Sequence, residues 1–541
     1  PHQVLRAEGR VMEVMGNGVT SVFVSHQWCG AQHADPGFNQ LRVLRSVFTR
    51  AAAGTLSVGL DALSETVYGM NGSVRRRDLL GAMSWFMWYD FFSIPQPEAQ
   101  DAGSGQHANL ESDLGKAVAS LAAYVHACLH FFVLAPTVRH ADSGQIIDYH
   151  TWKERGWCRF ERLSRLLTYD TQARMLLVHC EQHVVEVGTH DAIFDPVGHG
   201  KFSHQGDLVI LADKVRTLFD TKRDFLQVTM QMRDYHIMAS LRPRVLSGLL
   251  VPRPDLKFAW TSGCSSATSF GMGSRLSDKT HTTSLLLAAR AGDGNRVRRL
   301  LQGRADLNCS EKQSHFDFCV FKGQGPLHVA AWHGHMSVVS IFIQARASVN
   351  AHDKNGRSPL HYACSIAKPE MIAGLLELRA GLEDTTPMRL TPLSFGALLG
   401  RPQGVNLLLA SRARTDAPNR MGASPLHVTA MFAGGADIVR ALVEAGGLVD
   451  ARLHPAKGTV LWFYMNSLMI GYRLGRRQSH TSRVSPHFWM CTPLMMAALF
   501  GNHREASCLL EMRADPEARN LRGATATTLA RHHGNFELAL W

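Results

Sequence analysis

Four polar residues carry the chemistry that the first half of this 541-residue chain offers: Ser25, His26, Asp90 and Glu161. A hydroxyl, an imidazole and two carboxylates brought together can move protons or stabilise a developing cation. Their surroundings put them at comparable points. Ser21-Val-Phe-Val-Ser-His26 is a β-branched and aromatic run that reads as a buried strand, with Ser25 and His26 at its carboxyl end. Trp85-Phe-Met-Trp-Tyr-Asp90 reads as a second strand ending on Asp90. A third strand, His130–Ala135, precedes a helix that opens at Arg155-Gly-Trp-Cys-Arg-Phe-Glu161 and carries the last of the four.

Other chemical signals are poor. Gly198-His-Gly-Lys-Phe-Ser203 has Phe202 where a phosphate loop needs Ser or Thr after the lysine. Gly271-Met-Gly273 lacks the third glycine of a dinucleotide loop, and no G-x-S-x-G or H-R-D occurs. The ten cysteines include no C-x-x-C pair, and the 28 histidines form no H-E-x-x-H pair. Cys29 and His33 have helical i, i+4 spacing, but no metal site is expected from them. Free thiols in a reducing compartment are expected instead.

The elements that must position the four residues follow from pattern. Phe38–Ala53 reads as a helix with Leu41, Leu44, Val47 and Phe48 on one face, and Leu114–Ala127 as another. Arg174–His179 reads as a fourth strand, and 222–245 as a further helix with apolar Phe225, Val228, Met232 and Ile237. Short, continuously apolar strands alternating with helices imply a parallel sheet covered on both faces. Ligands bind such sheets beyond the carboxyl ends of the strands, so one rim should collect Ser25, His26, Asp90 and Glu161.

Phe-Val-Ser-His, Trp-Tyr-Asp, Phe-Val-Leu-Ala-Pro and above all Trp157-Cys-Arg-Phe-Glu161 resemble the Toll/interleukin-1 receptor (TIR) domain pattern over about residues 20–220. Ser25-His-Gln-Trp28 is similar to the S-H-x-W of the related fungal heterokaryon-incompatibility type. The resemblance implies a flavodoxin-like fold of about five strands and self-association as an assembly module. Many TIR domains cleave the nicotinamide–ribose bond of NAD, and the family's catalytic glutamate in W-C-x-x-E matches Glu161. Ser25, His26, Trp28, Asp90 and Trp157 would then line the nucleotide, with NAD as substrate and no cofactor. The chemistry is reasonable: N-glycoside cleavage passes through an oxocarbenium-like state that a nearby carboxylate stabilises or traps. The alternative is a solvated Glu161 in the first turns of its helix, favoured there by the macrodipole.

The second half is organised by repetition. Leu327, Leu360, Leu393 and Leu426 are each 33 residues apart, and each follows the proline of a [Gly/Ser/Thr]-Pro-Leu phrase, Gly356-Arg-Ser-Pro-Leu-His-Tyr-Ala363 being the cleanest. Thr492-Pro-Leu-Met-Met-Ala497 lies two periods plus two residues further on. A 33-residue period with a T-P-L-H-x-A core resembles the ankyrin-repeat family, and implies an all-α solenoid whose units stack to bury a common core. The first unit, Thr283–Asn308, reads as a cap, and residues 309–322 hold a nine-residue insertion. Residues 452–490 fill about one period without the phrase, as a decayed repeat or a surface insertion. The turn tips carry Lys354, Arg357, Arg389, Arg420 and Arg522, a row suited to an acidic partner segment.

A net charge of +12 favours acidic partners, yet the charge is spread as single arginines rather than runs, which argues against nucleic acid. The most apolar stretch, Val460–Tyr472, is too short to span a bilayer, and residues 1–20 lack the apolar core of a signal peptide, so a cytoplasmic protein is expected. The expected organisation is a TIR-like α/β domain over 1–235, a Pro-, Gly- and Ser-rich linker over 236–280, and six or seven ankyrin repeats over 281–541. Two functions fit: an interaction and signalling scaffold in which the array binds a protein and the TIR-like domain assembles, or an NAD hydrolase using Glu161.

Overall fold

The computed structural model describes residues 20–541 except 31–32, 62–73, 75, 94–115, 117–119, 169–174, 182, 190, 204–205, 250–283, 316–317, 367, 455–486, 534, 536–537 and 539–541. Cys264, Gly271-Met-Gly273, Val460–Tyr472 and most of the expected linker lie outside the described residues. The chain forms two compact units, Pro1–Pro252 and Arg253–Trp541.

The first unit is built on one sheet. Its described strands are β1 (Ser21–His26), β2 (Val58–Leu60), β3 (Phe86–Tyr89), β4 (His130–Leu134), β7 (Met175–Cys180) and β8 (His183–Val187). A separate two-stranded ribbon pairs β5 (Val138–Arg139) with β6 (Ile146–Ile147). The sheet order is β2-β8-β7-β4-β1-β3. Strands β3, β1, β4 and β7 run parallel, and β2 is parallel to β8, but β8 lies antiparallel to β7. The sheet is therefore mixed, which corrects the expectation of an all-parallel one. The reason is local: β7 and β8 are close enough in sequence for a tight hairpin, whereas a parallel partner needs a long crossover.

Side chains alternate across β1. Val22 and Val24 pack with Leu44, Val47 and Phe48 of helix α1 (Asn39–Ala52) in one apolar layer. Phe23 points the other way and stacks on Trp88 at 4.3 Å and Phe131 at 5.2 Å. That second face is covered by α3 (Leu121–Ala127) and α5 (Gly156–Leu166). Between them come α2 (Asp90–Ser93), at the end of β3, and α4 (Tyr149–Glu154). Buried Arg165 of α5 donates to Cys128 O at 2.8 Å and Leu129 O at 2.7 Å, which ties the helix to the start of β4.

After α6 (Asp191–Phe194), residues 222–245 are not one helix. They end α7 (Gly206–Val228) and form α8 (Met232–Val245), with a break where Met230 adopts φ 56°. Helix α8 buries Ile237, Met238, Leu241 and Val245 within the first unit. Residues 236–245 are thus structured rather than linker, because this apolar face needs cover.

The second unit is a stack of paired helices. First helices begin at the repeated proline, as in Pro326–His333, Pro359–Ser365, Pro392–Leu398, Pro425–Phe432 and Pro493–Phe500. Proline is tolerated at this position because the first helical N–H has no partner within the helix. The phrase histidines are interior struts. His361 Nδ1 accepts from Ser358 N–H at 3.2 Å, and its Nε2 donates to Leu390 O at 3.0 Å in the next unit. His328 and His427 repeat the arrangement.

The stack is direct on either side of residues 452–490. Pro425–Phe432 packs directly on Pro493–Phe500. Leu453 N–H donates to Cys491 O at 2.9 Å and Met490 N–H to Leu453 O at 3.0 Å. The His361 strut spans 29 positions and the His427 strut, to Cys491 O, spans 64, so 35 extra residues enter here without adding a layer. Residues 455–486 themselves lie outside the described residues. The earlier insertion, at 309–322, is anchored by a buried ion pair between Arg290 and Glu311 at 2.6 Å.

Candidate functional site

Neighbouring residues at the end of β1 serve opposite faces of the sheet. Ser25 faces α5 and His26 faces α1, so the expected rim becomes two adjoining couples.

The first couple is Ser25 with Glu161. The Ser25 hydroxyl donates to Glu161 Oε2, and Trp152 Nε1 donates to Ser25 Oγ at 2.9 Å. An indole N–H can only donate, so Trp152 fixes the Ser25 oxygen as acceptor and directs its proton to Glu161. Trp152 is placed by the cap of α4, where Asp148 Oδ1 accepts from His150 N–H at 2.9 Å and Thr151 N–H at 3.0 Å. Glu161 is placed by α5, whose stripe Cys158, Glu161, Arg162 and Arg165 follows helical spacing. The helix start is fixed by close approach: a Cβ on Gly156 would lie 2.0 Å from the Phe202 ring.

Glu161 is partly buried and sits midway along α5, not in its first turn. Burial pushes its carboxyl up to about 8; the Ser25 hydrogen bond works downward and the Asp90 charge upward. The carboxyl therefore holds its proton at neutral pH, unlike a solvated glutamate.

The second couple is His26 with Asp90, Nε2 to Oδ1 at 2.6 Å. Trp28 Nε1 donates to the other carboxylate oxygen at 2.8 Å. Gln40 Oε1 lies 3.1 Å from His26 Nδ1, and the Tyr89 ring stacks on the imidazole at 4.2 Å. Burial works against the imidazolium, but the Asp90 charge and hydrogen bond, together with Glu161 and Gln40, outweigh it and hold His26 above its usual range.

Ser25, His26, Trp28, Asp90 and Glu161 thus gather at the carboxyl ends of β1 and β3. Trp157 does not join them: its Nε1 donates to Asp207 Oδ2 at 2.9 Å, toward α7. Sequence reasoning missed Trp152, Gln40 and Tyr89. Tyr89 is adjacent to Asp90 and was within reach; Trp152 and Gln40 matter only through the packing of their helices against β1.

The remaining sequence signals take structural roles. Lys201 of the phosphate-loop look-alike pairs with Glu154 at 2.8 Å. Cys29 Sγ lies 2.9 Å from Gln40 Nε2, and burial raises its thiol to about 12. No group of three or more His, Cys, Asp or Glu suited to a metal occurs among the described residues. The described cysteines are free thiols.

In the second unit Lys354, Arg389, Arg420 and Arg522 are exposed. Arg357 is not part of that row. It is 3% exposed, with its guanidinium 4.4 Å from the Phe321 ring centre and 5.5 Å from that of Phe395. Its planar group is drawn into the stack by two aromatic faces.

A family model described as ankyrin repeats (3 copies) matches residues 285–386, and one described as ankyrin repeat matches 490–521. Those segments carry ankyrin repeats. The crystal structure of the human ASB11 ankyrin repeat domain is similar at 21% identity and TM-score 0.34, covering 48% of this chain and 97% of that one. The ankyrin repeat domain of Bcl-3, a member of the IkappaB protein family, is similar at 23% identity and TM-score 0.34, covering 48% and 99%. No curated protein matches the chain. Among the described residues no helix is long and apolar enough to cross a membrane.

Proposed function

We propose that this chain is an interaction protein: its ankyrin array holds a protein partner, and its first unit is a TIR-like module that self-associates in a signalling assembly. The observation that carries the reading is the array itself. Its polar strut histidines and phrase prolines are consumed in stacking, which leaves exposed turn tips as the contact surface. Lys354, Arg389, Arg420 and Arg522 suit an acidic segment of that partner. The test is cross-linking of the whole chain in extracts of its own cells, followed by peptide mapping. Cross-links concentrated on the array are the expected result. Cross-links confined to residues 20–249 would overturn it.

A second reading is NAD cleavage at Glu161, and the Ser25–Glu161 couple favours it. The strand order β3-β1-β4-β7 supports a flavodoxin-like core, in which the chain turns to opposite sides of β1 and opens a crevice at its carboxyl end. A cationic nicotinamide riboside bound there would favour the ionised carboxylate. NAD consumption by the purified chain, abolished in a folded Glu161→Gln variant, is the outcome this reading requires.

A further inference from the structure

A second basic row runs along the array, separate from the turn tips. Each second helix ends in the same hydrogen-bond pattern. Arg346 N–H donates to Ile343 O and Ala347 N–H to Phe342 O, both at 2.9 Å, while Arg346 adopts φ 67°. The same paired bonds and left-handed backbone recur at Arg304 (φ 60°), Arg379 (φ 62°), Arg412 (φ 65°) and Arg513 (φ 67°). In the remaining unit of this form the place is taken by Gly446, φ 92°.

Glycine is the residue this helix ending favours, since a side chain there meets the neighbouring carbonyl. Arginine recovers part of that cost from the helix C-terminal dipole. All five arginines are exposed, and none of their guanidinium groups has a hydrogen bond or ion pair among the described residues. Other array arginines behave differently: Arg414 pairs with Asp416, and Arg440 with Asp437 and Glu511.

Second helices that pack side by side stand about 8–10 Å apart, as those before Arg304 and Arg346 and those before Arg379 and Arg412 do, and Gly374 lies against Met336 across the middle step, so the four arginines form consecutive rungs at about that spacing. We propose that these rungs are the docking edge for an acidic polyproline II segment of a partner protein, with a carboxylate at every third residue. Polyproline II has three residues per turn and rises about 3.1 Å per residue, so such carboxylates recur on one face every ~9 Å. A β-strand turns every third side chain to the opposite face and loses the match. A nucleic-acid strand spaces its charges at about 3.4 Å along the axis and would not select this spacing. Bidentate arginine–carboxylate geometry suits the peptide as well. The inference rests on the reading that the array holds an acidic partner segment, and it moves the contact from the tips to the rungs.

The test uses the whole chain and fluorescence anisotropy with a labelled peptide repeating Glu-Pro-Pro. Its control has the same composition with all glutamates contiguous. The variant Arg346→Gly/Arg379→Gly/Arg412→Gly keeps the fold, because glycine suits these positions; a thermal melt verifies this. The expected result is about tenfold weaker binding in that variant and for the control peptide, since each exposed pair contributes a fraction of a decade. An Arg389→Gln/Arg420→Gln/Arg522→Gln variant should bind like the parent. Loss in the tip variant alone would overturn the rungs while leaving the partner reading standing. Equal binding of the two peptides, tighter binding of an oligothymidylate of equal charge, or no binding of either peptide would also overturn the proposal.

Discussion

Trp152 and Ser25 are 127 positions apart in sequence and joined by a 2.9 Å hydrogen bond from the indole N–H to the hydroxyl oxygen. That bond leaves the Ser25 proton one destination, the Glu161 carboxyl. Substituting Ser25 by Ala removes the largest influence that works against burial at Glu161. The Glu161 titration should then move above about 8, read by carboxyl carbon NMR with site-specific assignment. A downward movement would show that Ser25 does not hold the carboxylate form.

Stability should depend on pH through the same residue. The folded carboxyl titrates at about 8 against 4.5 in a free chain, so its stabilising contribution is complete below 4.5 and is lost as pH rises to about 8. A Glu161→Gln variant lacks this slope, and the two proteins should differ by a few kcal/mol in pH dependence across that window. Urea melts at its two ends make the comparison. If NAD cleavage uses the Glu161 carboxylate, its rate should climb over the same window in the free enzyme.

The strut histidines predict the opposite trend for the array. Burial drives His361 and His427 down to about 4, and lowers His328 as well. Each Nδ1 accepts from a backbone N–H, so a second ring proton would meet that donor and break the bond. Their contribution is present above the usual 6.5 and is lost as pH falls toward 4, because the unfolded chain takes up protons first. Hydrogen exchange in Pro359–Ser365 should accelerate over that range, and less steeply in His361→Gln. A rate independent of pH, after correction for intrinsic exchange, would rule the struts out as the cause.

Arg290 and Glu311 offer a third test, with exposures of only 4% and 1%. Glu311→Gln leaves a buried guanidinium without its counter-charge and should cost about 3–5 kcal/mol, whereas Arg290→Met with Glu311→Leu should cost less. Exchange protection around Glu311–Gln324 should report the difference. Comparable losses in both variants would mean that the pair's charge is not what holds the insertion.

What was legible in sequence divides by the range of the interaction. The stacked helices were readable because a 33-residue repetition states the same local chemistry several times over. Strand β1 was readable because Ser21–His26 is apolar on both faces up to its end. Strand β8 was not, because His183-Val-Val-Glu-Val hides a buried glutamate, Glu186, whose Oε2 accepts from Val74 N–H at 3.2 Å. Arg357 looked like another tip charge; only the folded stack brings Phe321 and Phe395 to its two faces. Likewise the gathering of Ser25, His26, Asp90 and Glu161 followed from their strand ends, but the split into two couples required the alternation of β1 to meet real helices.

The bonds between Leu453 and Cys491 have a mechanical meaning. A pull along the array passes from the 425–444 helices straight into the 493–511 helices and through this short bridge. The bridge is therefore a splice: on either side of a break in the repeat the array transmits load as one continuous stack.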